Sequence, residues 1–198
     1  VLNTKDSKGN PAGSAYLIRR VEKQKVDKVK ELNISGIIIS PDTKRYYPNN
    51  SYLSHVLGST DIDGKGLTGI ELMYDEELTG VDGFRIVELD AKSRDLPYSI
   101  SEYIDPIDGK NVVLTIDEKI QFFAEKAASQ ALIDNQAKAV SIIVMNPENG
   151  EILAMVNKPD FNPNTVRDEV STYDELQQLW RNRSVNDIYE PGSIFKIV

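Results

Sequence analysis

"EKIQFFAEKAASQAL", residues 118–132, is the stretch on which the fold turns. Ile120, Phe123, Ala124, Ala127 and Ala131 recur at helical spacing, which predicts a helix with those residues on its apolar face. Ahead of it, "NVVLTID" (111–117) reads as a strand running into the helix start, with Thr115 or Asp117 as N-cap. Behind it, "AVSIIVMN" (139–146) is a near-continuous apolar strand, the pattern of a sheet covered on both faces. "NPENG" makes a turn and "EILAMVN" (151–157) returns, forming a hairpin. Strand, long helix and hairpin predict an α+β arrangement, an antiparallel sheet flanked by helices.

Upstream the pattern is less regular. Residues 3–14 are polar and rich in turn formers. In "YLIRRVEKQKVDKVKELN" (16–33), Ile18, Val21, Val26, Val29 and Leu32 form a partial helical stripe. Its six basic residues are interrupted by Glu22 and Asp27, as on a solvated helix face. "SGIIIS" (35–40) reads as a short strand, and 51–58 as a short helix stopped by Gly58. His55 lies among apolar neighbours with no nucleophile near it in sequence, so a buried structural role is expected. Ile70, Tyr74 and Leu78 predict a helix ending at Gly80. Asp61 and Asp63 lack the ligand spacing of a calcium loop, and the nearby glycines do not form a nucleotide fingerprint. "GFRIVELDA" resembles an exposed strand, and "PYSISEYIDPIDGK" a linker, with a domain boundary near residue 108.

The 198 residues carry a net charge of -8, which disfavours nonspecific nucleic-acid binding. There is no cysteine and one histidine, so neither a disulfide nor a zinc site is expected, and no cofactor has support. No apolar run approaches membrane-spanning length. The chain starts at Val1 and stops soon after Lys196, and is read as a piece of something longer, lacking both termini.

Lys158 to Asp187 is a polar connection with a little packing expected at Leu179 and Trp180, the kind of long surface that faces a substrate. It leads to "YEPGSIFKI", residues 189–197. A serine hydroxyl needs a base, and Ser193 and Lys196 are three apart, on one face of any helix starting at the Pro-Gly turn. A helix N-terminus favours developing negative charge, and a buried lysine can lose its proton. Taken alone, the same four residues are equally ordinary capping chemistry.

The wider segment resembles the active-site serine segment, E-P-G-S-x-F-K, of class B penicillin-binding proteins. "VVLTIDEKIQFFAEKA" is similar to the opening of that family's transpeptidase domain, and "IIVMNPENGEILAMVNKPDFNPN" to the hairpin and loop before the serine. "RYYPNNSYLSHVLG" and "DGKGLTGIELMYDEELTG" resemble blocks of the non-catalytic pedestal, or dimerisation, domain. The blocks stand in family order from about residue 16 onward. The chain is most similar to the division and sporulation group of Gram-positive bacteria.

The resemblance implies a pedestal domain over 1–108 and the start of a transpeptidase domain over 109–198. It implies that Ser193 attacks the penultimate D-Ala carbonyl of a peptidoglycan stem peptide, with Lys196 as base and the Ser193 N–H in the oxyanion hole. β-Lactams acylate the same serine. A membrane glycosyltransferase is the implied partner, and the extracytoplasmic face of the membrane, reached through an N-terminal anchor, the implied location. Arg45, His55, Gly69 and Glu71 match pedestal positions and are implied to be structural. A penicillin sensor or serine β-lactamase also carries Ser-x-x-Lys, but simple β-lactamases lack the pedestal blocks. A pedestal scaffold with a vestigial serine is the remaining alternative.

Three departures qualify this. Position 194 is Ile where Thr is commonest, the early pedestal block R-G-x-I-x-D-R-N-G is missing, and no S-x-N or K-T-G follows Ser193 within these residues. A polypeptide of these residues alone is therefore expected to form no stable adduct with fluorescent penicillin on a denaturing gel; a labelled band overturns this.

Overall fold

The computed structural model describes residues 13–88, 90, 96 and 102–193. The chain divides into two compact units, Val1–Arg45 and Tyr46–Val198. In the first, α1 (Lys23–Glu31) has no buried residue, as its interleaved lysines require. It is the central part of the helix expected over 16–33. The expected strand at 35–40 is not formed: Ile38 is 89% exposed, and the extended backbone has no ladder partner among the described residues. β-Branched residues favour extended dihedrals, but a strand also needs a neighbour to bond.

The second unit opens with short helices α2 (Ser54–Leu57), α3 (Gly69–Met73) and α4 (Asp75–Thr79). Gly58 ends α2 at φ 82, and Gly80 ends α4 at φ 72, as the sequence predicts. The single helix expected across Ile70, Tyr74 and Leu78 breaks at Tyr74, which takes φ -115 and ψ 27 between α3 and α4. Gly58 and Gly69 let two backbones touch: a Cβ on Gly58 meets the Thr68 carbonyl oxygen at 1.9 Å, and one on Gly69 meets that of Val56 at 2.5 Å. The Asp61 carboxylate accepts from the Asp63 and Lys65 N–H groups, closing a turn. β1 (Phe84–Ile86) is exposed, as expected, but its antiparallel partner β2 (Glu102–Ile104) lies in the stretch read as a linker.

The layer that carries the candidate site follows. α5 (Glu118–Asp134) packs on a hairpin of β3 (Val140–Met145) and β4 (Ile152–Lys158). Asp117 is the N-cap, its carboxylate accepting from the Lys119 and Ile120 N–H groups. "NVVLTID" forms no strand; instead the Thr115 hydroxyl donates to the Ile152 carbonyl and the Asp117 N–H to that of Leu153. Ala124, Ala128, Ala154 and Val156 form the core, with Ile120, Val140, Ile142 and Val144 against them. The buried face of α5 is therefore rotated from the one expected. Gln121 is fully buried, whereas Phe123 is 68% exposed and Ala127 also lies outside. Alanines at the contact allow close approach, and the larger phenylalanines do not fit there.

β3 alternates: Val140, Ile142 and Val144 face α5, while Ile143 and Met145 are exposed. Among the described residues the hairpin is thus covered mainly on one face, not on both. Three short helices then follow in the expected connection, α6 (Val166–Glu169), α7 (Tyr173–Trp180) and α8 (Arg183–Asn186). α7 starts with a Thr172–Glu175 capping box.

Ala128 and Ala154 have no accessible surface, so the helix–hairpin contact has no room for added atoms. Ala128→Leu is expected to lower stability by about 1–3 kcal/mol, read from the urea midpoint; an unchanged midpoint refutes this packing.

Candidate active-site segment

Ser193 follows Gly192, which adopts φ 58, and is exposed. Lys196 lies outside the described residues, so only one member of the expected Ser–Lys pair has a described position. Most of the support around the approach to Ser193 comes from polar side chains that sequence reading did not single out.

The first support is Asn157, at the end of β4. Its carbonyl oxygen accepts from the Ser141 hydroxyl at 2.7 Å and the Ser184 hydroxyl at 2.8 Å, and its amide donates to the Asn182 side-chain oxygen at 2.9 Å. The residue is buried and joins β3, β4 and α8. Asn182 is the N-cap of α8, and its backbone carbonyl accepts from Val185 and Asn186. Beyond α8, the Arg181 Nε and Asp187 carboxylate pair at 2.5 Å.

The second support is an ionic cluster. Lys158 Nζ lies 2.8 Å from a Glu125 oxygen and 2.5 Å from one of Asp160, with both the lysine and Glu125 nearly buried. The other Glu125 oxygen accepts from the Leu53 N–H at 3.2 Å and from the Gln121 amide at 3.0 Å. Burial pulls the Lys158 pKa down, but the hydrogen bonds and charges of Asp160 and Glu125 outweigh it and hold the ammonium above its ordinary value. Lys158 is thus held between two carboxylates that favour its ammonium form.

The third support is a pair of clamps. Asn164 accepts from the Tyr47 N–H at 3.0 Å and donates to its carbonyl at 2.9 Å, while the Tyr47 hydroxyl donates to Glu71 at 3.1 Å. His55 is buried edge-on to Phe161, with its Nε2 2.9 Å from the Leu179 carbonyl oxygen. Both His55 and Glu71 are thus held in structural contacts, and Leu179 and Trp180 are each partly buried. No cluster of metal-ligating side chains occurs among the described residues.

A family model of the penicillin-binding protein dimerisation domain matches residues 3–114, and one of the penicillin-binding protein transpeptidase domain matches 140–198. The chain belongs to the penicillin-binding protein family. It comprises a dimerisation domain followed by the start of a transpeptidase domain, in an α+β fold. Stage V sporulation protein D of Bacillus subtilis is 38% identical over 181 residues, covering 91% of this chain and 27% of that protein. The peptidoglycan D,D-transpeptidase FtsI of Escherichia coli is 34% identical over 191 residues, covering 94% of this chain and 31% of the relative. A peptidoglycan synthetase structure from Bifidobacterium adolescentis superposes with a TM-score of 0.64 at 29% identity, covering 89% of this chain and 31% of that one. The chain thus spans under a third of the length of these three relatives.

The buried His55 gives this region a pH dependence. Desolvation lowers its pKa from the ordinary 6.5, only partly opposed by the Leu179 carbonyl and the charges of Asp160 and Glu125. The unfolded chain takes up the proton first, so stability is full above about pH 6.5 and is lost as pH falls below it. His55→Gln is expected to show a smaller loss of urea midpoint between pH 7.5 and 5.5 than the wild type; equal losses refute a neutral, buried His55.

Proposed function

We propose that the protein carrying these residues is a peptidoglycan D,D-transpeptidase of the division and sporulation group. Ser193 attacks the penultimate D-Ala carbonyl of a stem peptide, D-Ala leaves, and an amine from a neighbouring strand takes the acyl group from the serine. Lys196, neutral when desolvated, accepts the serine proton. The Ser193 N–H donates to the developing oxyanion. β-Lactams acylate the same oxygen.

One observation carries this reading: the Glu190-Pro191-Gly192-Ser193 segment, with Phe195 and Lys196, falls inside the transpeptidase match and behind a dimerisation match in the same chain. The identity to a sporulation protein of Bacillus subtilis supports the branch. We place the domain boundary near residue 108, in the Pro- and Gly-bearing turn before Asp117. The enzyme works on the extracytoplasmic face of a Gram-positive cell membrane, held by an N-terminal anchor, beside a glycosyltransferase that supplies the glycan strands.

Labelling of the full-length protein with fluorescent penicillin tests the assignment. Wild type is expected to form a covalent adduct, Ser193→Ala none, and Lys196→Ala an adduct formed at least roughly 100-fold more slowly. An adduct on Ser193→Ala refutes the nucleophile, and wild-type speed for Lys196→Ala refutes the base.

A further inference from the structure

Among the described residues nothing covers the segment that delivers Ser193. Ile188, Tyr189, Glu190, Pro191, Gly192 and Ser193 are all exposed, and Ile188 has no covered surface. Where this segment starts is nevertheless fixed. Asp187 is bonded back to the start of α8, through its N–H to the Arg183 carbonyl at 3.2 Å, and through its carboxylate to Arg181 just before the helix. α8 itself is too short to be stable alone and has no buried residue. Polar bonds to the hairpin hold it: Ser184 and Asn182 to Asn157, and the Asn182 amide to the Met155 sulfur at 3.7 Å. The surface Arg181–Asp187 pair contributes little energy of its own, so the anchorage resides in the buried amide.

We propose that Asn157 is a positioning residue for acyl transfer, acting through α8 to set where the serine segment leaves the hairpin. This rests on the assignment of Ser193 as nucleophile. All three hydrogen bonds of Asn157 run to other elements, and two of them end on α8 or its cap. It therefore ties both α8 and its cap to the hairpin, beside the weaker Asn182–Met155 contact. Ser193 follows Asp187 by six residues, so a shift of α8 moves the origin of the segment that carries the nucleophile. A misplacement of about 1 Å at a reacting group costs up to roughly 100-fold in rate, whereas the noncovalent capture of ligand is less demanding.

Gln121 supplies the control. It is also a fully buried amide with three hydrogen bonds, but these run to Glu125 and Met155 and none reaches α8. Time courses of fluorescent-penicillin labelling of the full-length protein, at several concentrations, separate the maximal acylation rate from the apparent dissociation constant. Asn157→Ala is expected to lower the maximal rate roughly 10- to 100-fold with the dissociation constant unchanged. Gln121→Ala is expected to keep the wild-type rate even where its melting temperature falls as far. Ser184→Ala, a milder change on an exposed helix, is expected to slow acylation roughly threefold or more and serves if Asn157→Ala fails to fold. Wild-type rates in Asn157→Ala or Ser184→Ala, or an equal slowing in Gln121→Ala, overturn the proposal. If the wild type is not labelled, or Ser193→Ala is, the nucleophile assignment fails instead.

Discussion

The Gln121 side chain bonds both the N–H and the carbonyl of Met155, at 2.8 and 3.1 Å, and the seating of α5 on the hairpin follows from that pair of bonds. Thr115, Asp117 and Gln121 together bond the backbone of β4 at Ile152, Leu153 and Met155. Side chains and a helix cap here satisfy backbone groups that a ladder satisfies elsewhere. With the helix held there, Ala124, Ala128 and Ala154 meet at the contact beside Val156 and leave no room for added atoms.

Two further polar groups bond across neighbouring elements. Glu125, one turn beyond Gln121, joins α5 to Lys158 and to the Leu53 N–H. Ionic groups taken out of water add little net stability, yet removing one partner leaves a buried charge unmatched. The cluster therefore favours one arrangement of β4, α5 and the segment before α2 over others of similar compactness. At the far end of β4, Asn157 holds α8, and with it the approach to Ser193, through side-chain bonds of its own.

The sequence is informative where a residue's chemistry acts locally. The α5 helix with a cap at one of two positions, the β3–β4 hairpin, the glycine stops at 58 and 80, and the burial of His55 are all readable, because capping, alternation and left-handed dihedrals are short-range effects. What cannot be read depends on partners distant in the chain. "SGIIIS" has strand composition but no neighbour among the described residues, while "SEYIDP" has linker composition and contains a strand because Phe84–Ile86 lies beside it. The rotation of α5 escapes periodicity because a glutamine counts as polar, although its amide is fully bonded inside. Asn157 reads as the polar end of a strand and Lys158 as the start of a polar connection, and nothing local distinguishes a bonded buried residue there from a solvated one.

The Asn164 clamp on Tyr47 joins residues 117 positions apart. Contacts of such separation raise contact order, and the loop-closure entropy is lost before the bonds form. On a chain emerging from the ribosome, Tyr47 lacks the Asn164 bonds until that residue has been made, well after the dimerisation match has been translated. A stretch synthesised early is therefore among the last to reach its final bonds, and the order of domains along the chain is not the order in which they become complete.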